Sequence, residues 1–270
     1  MMAGPFAWAA PVPRTSIAGV EARLKGRIGV FAMRGSTTVK HRAHERFAYC
    51  STFKWVLGAA VLKCVEEGKL DLARKITYGE KDLLEPCALT RAHLGEGMSI
   101  GDLCAATIAT SDNAAANLLE PMVGGPSGMQ AFVRGLGDTV MRFDRMEPEL
   151  NSNLPGDPRD TTTPEAMALL LRTVLETEAL SKASREQLLD WMKATTTGSR
   201  RIRAGVPQGW IVANKTGTGS NGIANDVAVL YPPQGAPIFL CIFTESRKAK
   251  PQAREAAIAE VTRLTLEALK

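Results

Sequence analysis

Apolar residues gather into short β-branched and aromatic runs near the two ends of the chain, and recur at helical spacing in between. Leu24-to-Ala32, Trp210-to-Lys215, Asp226-to-Tyr231 and Ile238-to-Phe243 are such runs, bounded by Gly, Pro or Asn, and they read as strands. From residue 51 to about 194 the pattern is helical. Ser51-to-Glu67 has helical periodicity and stops at Gly68. Ser99 stands where it can cap a helix opening with Ile100-Gly-Asp-Leu103. Thr163-Pro164-Glu165 supplies a cap and a first-turn proline ahead of Ala166-to-Leu175. Pro251-to-Leu269 reads as a final amphipathic helix suited to packing on a sheet. Strands at both ends and helices between predict an α+β fold. One antiparallel sheet, closed by the N- and C-terminal segments and flanked by helices, would carry an inserted all-α domain. The expected boundaries are an α/β domain of residues 16–50 and 195–270 and a helical domain of residues 51–194.

Composition narrows the function without naming it. A chain of 270 residues can bury a large core in one unit or in two intimately packed ones. Its 33 basic and 28 acidic residues leave a formal charge of +5. The clusters Arg200-Arg201-Ile202-Arg203 and Arg247-Lys248-Ala249-Lys250 have few aromatics interleaved, which argues against a nucleic-acid partner. A cationic surface beside a site for an anionic substrate is the better functional reading. The longest apolar stretches, such as Trp55-to-Leu62, are too short to span a bilayer, so no membrane partner is expected. Residues 1–15 lack the charged start and apolar core of a complete signal peptide; Ala7-Trp8-Ala9 fits the tail of one, or a disordered leader.

Five cysteines (50, 64, 87, 104 and 241) leave at least one thiol unpaired within the chain, and buried free thiols are the expectation for all five. Three histidines (41, 44 and 93) and the absence of metal-ligand spacing predict neither a metal nor another cofactor.

Candidate chemistry begins at Ser51-Thr52-Phe53-Lys54. Serine and lysine at i and i+3 share one helix face, which can set an amine beside a hydroxyl that must attack a carbonyl. Alone the pattern is weak, since it is expected roughly once by chance at this length, and its ordinary meaning is a cap and a solvated charge. Three further motifs change that: Ser111-Asp112-Asn113, Glu147-Pro148-Glu149-Leu150-Asn151 and Lys215-Thr216-Gly217 each occur once, in that order. Ser-Asp-Asn before Ala114-Ala-Ala also fits a helix cap, and both meanings can hold together.

These motifs in this order resemble those of the class A serine β-lactamases. The run from Arg142-Phe-Asp-Arg-Met-Glu-Pro-Glu-Leu-Asn151 to Arg159-Asp160-Thr161-Thr162 is similar to that family's omega loop, here residues 142–160. Asp82-to-Glu85, His93-Leu94 and Gly97-Met98-Ser99 precede Ser111 at the family's spacing, and the resemblance covers roughly residues 16 to 270. It implies an α/β sandwich domain with an inserted all-α domain and a cleft where they meet. It also implies roles. Ser51 is the nucleophile; Lys54 is its base, or the group that holds it and polarises the site. Ser111 relays a proton to the leaving nitrogen, and Asn113 binds the substrate's side-chain amide. Glu147 and Asn151 hold and activate the water that frees the enzyme. Lys215, Thr216, Gly217 and Thr218 form the strand side, binding the substrate carboxylate, with the N–H groups of Ser51 and Thr218 as oxyanion hole. Arg145 and Asp160 are expected to close the omega loop as an ion pair.

Several positions depart from the family's pattern. Asn214 stands where many members have aspartate, Pro86 where an aromatic residue is usual, and Gly219 and Gly58 where some members have the partners of Cys50 and Cys104. Ala224 occupies the place of a strand arginine, so the resemblance assigns its task to Arg201, leaving Arg200 and Arg203 as surface charges. The implied function is hydrolysis of penicillin- and cephalosporin-type β-lactams by a periplasmic or secreted monomer whose partners are small-molecule substrates and inhibitors. Two alternatives stand beside it, a D-Ala-D-Ala peptidase or transpeptidase, which the Glu147 and Asn151 pair argues against, and a non-catalytic penicillin sensor, in which acylation persists as a signal; nitrocefin turnover separates all three.

Overall fold

The structure is a computed structural model that describes residues 15–270, so the expected leader over residues 1–15 lies, except for Thr15, outside the described residues. Helices are α1 (Ile17–Leu24), α2 (Lys54–Glu66), α3 (Ala88–Ala92), α4 (Ile100–Ala109), α5 (Asn113–Leu119), α6 (Gly125–Gly135), α7 (Pro164–Glu176), α8 (Lys182–Lys193), α9 (Ile202–Gly205) and α10 (Pro251–Ala268). Strands are β1 (Arg27–Arg34), β2 (Thr37–His41), β3 (Phe47–Ala48), β4 (Lys75–Ile76), β5 (Met98–Ser99), β6 (Thr161–Thr162), β7 (Ile211–Gly219), β8 (Ile223–Tyr231) and β9 (Ile238–Glu245).

Five strands form one antiparallel sheet in the order β2-β1-β9-β8-β7, which puts the last and first long strands side by side. Side chains alternate between its faces. Val30, Ala32, Ala228, Leu230, Leu240 and Ile242 join Ile258, Val261 and Leu266 of α10 in one core. Phe31, Met33, Val227, Val229, Cys241 and Phe243 join α2 and α7 in the other. Both faces are covered, which is why these strands read as nearly continuous apolar runs. The fold is the expected α+β class. Helix α2 is buried at every residue from Lys54 to Leu62, the pattern of a central helix wrapped on all sides.

The caps read from the sequence are present. Ser99 Oγ accepts from Asp102 N at 3.0 Å, and Thr163 Oγ1 from Ala166 N at 3.2 Å with Pro164 in the first turn. Other boundaries differ. Leu24, expected in the first strand, ends α1, and left-handed Lys25 (φ 54°) turns the chain before β1 starts at Arg27. Strand β2 was not anticipated, because Thr37-Thr-Val-Lys-His41 lies at the sheet edge and is mostly exposed or half-exposed. The stretch read as purely helical contains β4, β5 and β6, two-residue strands too short to show a period.

Candidate functional site

A short 3₁₀ turn, Cys50–Phe53, delivers Ser51 to the head of α2, one turn from Lys54. Strand β7 runs against that turn at Gly217. A Cβ there would lie 2.7 Å from Tyr49 O and 3.1 Å from Thr52 N, so only glycine lets the strand approach so closely. This apposition brings Thr218 alongside Ser51. As an edge strand, β7 leaves part of its backbone free to face a ligand.

Ser111 lies between α4 and α5 in the left-handed region (φ 65°), as does Cys50 beside the serine (φ 48°); strain of this kind concentrates at functional sites. The Ser-Asp-Asn motif divides its work. Asp112 is buried and structural, capping α5 through Ala115 N at 3.0 Å and accepting from Thr90 Oγ1 at 3.0 Å. Ser111 and Asn113 turn toward the lysines.

The omega loop is closed by Asp160, whose side chain is 0% exposed. Its Oδ1 accepts from Asp144 N at 2.8 Å and Arg145 N at 3.0 Å, and its Oδ2 from Arg145 Nε at 2.6 Å. The expected ion pair is therefore present, backed by two backbone donors. Asn117 holds Glu147 on both sides: its Nδ2 donates to Glu147 O at 2.8 Å and its Oδ1 accepts from Glu147 N at 3.2 Å. Sequence reading missed Asn117. Its signal was the spacing, since it follows Asn113 by four residues on the same helix face.

At the centre, Ser51 Oγ donates to Glu147 Oε1 at 3.0 Å, and Lys54 Nζ lies 3.0 Å from the same oxygen. Asn151 Nδ2 donates to the other oxygen, Oε2. Lys54 also donates to Ser111 O at 2.9 Å and to Asn113 Oδ1. Burial lowers the pKa of Lys54, with the Glu147 carboxylate opposing. Lys215 Nζ donates to Ser111 Oγ at 3.0 Å and Thr216 O at 2.8 Å. Burial, then the charge of Lys54, push its pKa well down.

Arg201, just ahead of α9, reaches both β7 and β8. Its Nη1 donates to Gly217 O and Asn225 O at 2.9 Å each, and its Nη2 to Thr218 Oγ1 at 2.8 Å. Thr216 and Thr197 share a hydroxyl contact of 2.7 Å. Lys215, Thr216, Thr218 and Arg201 thus make a positive, hydroxyl-rich edge beside the serine.

Arg203 corrects the reading of it as a surface charge. It is half-buried and donates to Asn214 Oδ1 at 3.0 Å; Asn214 Nδ2 donates in turn to the buried Asp226 at 2.9 Å. Burial raises Asp226 to about 6. Arg200 is exposed and pairs with Glu255. All five cysteines are free, but Cys64 is only half-buried. The neighbour a cysteine at 219 would have met is there: a Cβ on Gly219 would lie 2.7 Å from Cys50 Sγ.

Residues 13–269 match the family model described as the beta-lactamase enzyme family. The chain is 46% identical over 255 residues to the carbapenem-hydrolyzing β-lactamase KPC of Klebsiella oxytoca, covering 93% of this chain and 87% of that protein. Among solved structures, the class A β-lactamase reconstructed for the last common ancestor of Gram-negative bacteria (GNCA4) is 50% identical with a TM-score of 0.92, covering 94% of this chain and 98% of that one. An ancestral GNCA class A β-lactamase is 51% identical with a TM-score of 0.91, covering 93% and 98% respectively.

Proposed function

Because the chain belongs to the class A β-lactamase family, a group of β-lactam hydrolases, we propose that Ser51 opens the β-lactam ring and Glu147 directs the hydrolysis that regenerates it. The substrate carboxylate lies on Lys215, Thr216 and Thr218, with Arg201 adding charge behind them. The lactam carbonyl oxygen sits between the N–H groups of Ser51 and Thr218, where developing negative charge meets fixed donors.

As Ser51 Oγ bonds to the carbonyl carbon, its proton passes to Glu147 or to Lys54, both within reach of one another. The ring C–N bond then breaks, and Ser111, hydrogen-bonded to Lys215, hands its proton to the departing nitrogen and is reprotonated by the one Ser51 released, relayed through Lys54, which leaves Glu147 a carboxylate again. Glu147 next takes a proton from a water held with Asn151. The water's oxygen bonds to the ester carbon, the carbon–oxygen bond to Ser51 breaks, and the proton on Glu147 passes to Ser51 Oγ, restoring hydroxyl and carboxylate.

One observation carries this reading: Ser51, Lys54 and Asn151 converge on the two oxygens of a single buried carboxylate. A transpeptidase passes its acyl group to an amine and a penicillin sensor keeps it, so neither needs such convergence to activate water, and a D-Ala-D-Ala peptidase would stay acylated by a β-lactam. Nitrocefin turnover is the test. Product far beyond one equivalent per enzyme supports the reading; a burst that stops at one equivalent overturns it. Family membership further supports action as a periplasmic or secreted monomer on small-molecule β-lactams.

A further inference from the structure

We propose that Asn221 is a positioning residue for the hydrolytic step, tying the turn after β7 to residues 151–153 and so holding Asn151 against Glu147. The proposal rests on the roles given above to Glu147 and Asn151.

The turn Ser220-Asn221-Gly222 joins β7 to β8. Asn221 Nδ2 donates to Ser152 O at 2.7 Å and to Asn153 O at 3.3 Å, while Ser220 N approaches Asn151 O at 3.4 Å. Three successive carbonyls of the omega loop therefore accept from one turn. Asn153 (φ 43°) sits in the left-handed region, which reverses the chain there, a conformation asparagine tolerates better than most residues. Gly222 (φ 83°) lets the turn stand this close to the sheet, since a Cβ there would lie 2.3 Å from Ser246 O.

From the opposite side, Arg145 Nη1 donates to Ser152 Oγ at 2.8 Å. Residues 151–153 are thus gripped between the Arg145–Asp160 pair and the β7–β8 turn. Immediately beyond, the described backbone hydrogen bonds of residues 154–157 are local, and Leu154 is exposed. Without Asn221 only the 3.4 Å contact of Ser220 N with Asn151 O would remain on that side, and residue 151 would have more room to shift from Glu147. A displacement near 1 Å is enough to cost a reacting group about 100-fold.

The effect falls on one step. Ser51, Lys54, Ser111 and Lys215 have no described hydrogen bond to residues 220–222, so ring opening proceeds as before. In a two-step acyl mechanism, slowing only the second step lowers kcat and KM by the same factor and leaves kcat/KM alone. A looser cleft would instead raise KM.

Asn221→Ala should therefore lower kcat for a good penicillin about 5- to 20-fold, lower KM in parallel and keep kcat/KM within about twofold, with acylated Ser51 accumulating in mass spectra. Asn221→Asp, which keeps the shape but sets a carboxylate against carbonyls, should do at least as much. Asn221→Gln, which keeps the donor, should recover part of the loss. Glu147→Ala is run alongside. If it traps the acyl-enzyme while Asn221→Ala and Asn221→Asp turn over like the parent, or lose kcat/KM with a raised KM, the positioning role is wrong. If Glu147→Ala itself traps nothing, the hydrolytic roles fall and this inference falls with them.

Discussion

Ser51 and Glu147 are 96 residues apart in sequence and share a 3.0 Å hydrogen bond. Lys54 stands 3.0 Å from the same oxygen, so hydroxyl, carboxylate and amine form one buried unit. Removing the carboxylate has two consequences of opposite sign. The group proposed to activate water is lost, while Lys54 loses the neighbour that opposed the effect of burial and so becomes more readily a neutral amine.

Glu147→Ala should therefore still acylate, through Lys54, and stall afterwards. Loss of a general base is worth about 10²- to 10⁴-fold, so penicillin turnover should drop by that order. Mass spectrometry after mixing should find Ser51 carrying the opened drug. Turnover at the parent rate would remove Glu147 from the mechanism.

Arg145→Ser leaves Asp160 buried with its backbone donors but without its cation. Breaking a buried pair costs about 3–5 kcal/mol, and the two remaining N–H donors should place this one near the lower end. A lower melting temperature and faster proteolysis near residues 152–158 are expected, together with lower penicillin turnover. Unchanged melting and cleavage would mean that the pair does not hold the loop.

Arg201→Ala removes the guanidinium behind Thr218. The expected loss is about 1.5–3 kcal/mol of substrate binding, read mainly as a raised KM with kcat less affected. Steady-state kinetics on a penicillin measure it, and inactivation by clavulanate should weaken in parallel. Parent-like kinetics would leave carboxylate binding to Lys215.

Glu120 is a buried acid outside the reaction, 1% exposed with Oε2 unpartnered. Burial, reinforced by Glu147 and Asp160, raises it to about 8 from an ordinary 4.5. The folded state thus holds a proton that the unfolded chain releases near pH 4.5. Stability from this group is complete below that pH, declines as pH rises, and is gone above about 8. Glu120→Gln, which keeps the shape without the titration, should gain over the parent by about 2–4 kcal/mol between pH 5 and 8. Denaturant melts across that range decide it; a difference that does not grow with pH would show that Glu120 is ionised in the fold.

Much of this protein was legible before folding, wherever a role depends on near neighbours. Ser51 and Lys54 share a helix face, Ser99 and Thr163 cap the helices they precede, and the nearly continuous apolar runs of β8 and β9 follow from a sheet covered on both sides. Glu147 and Asn151 lie four residues apart, and the chemistry of each is written in its side chain. What the sequence could not contain is which distant groups meet. Arg203 looked like surface charge until the fold set it against Asn214 and Asp226. Asn117 and Asn221 are ordinary amides until a loop arrives beside them. Nothing around Glu120 in the sequence marks it as buried, and the fold buries it. Local periodicity reports only which face of an element is apolar. Burial of a charge, and the partner that satisfies it, come from separate elements brought together, here 11 to 69 residues apart, so those were decided by the tertiary structure.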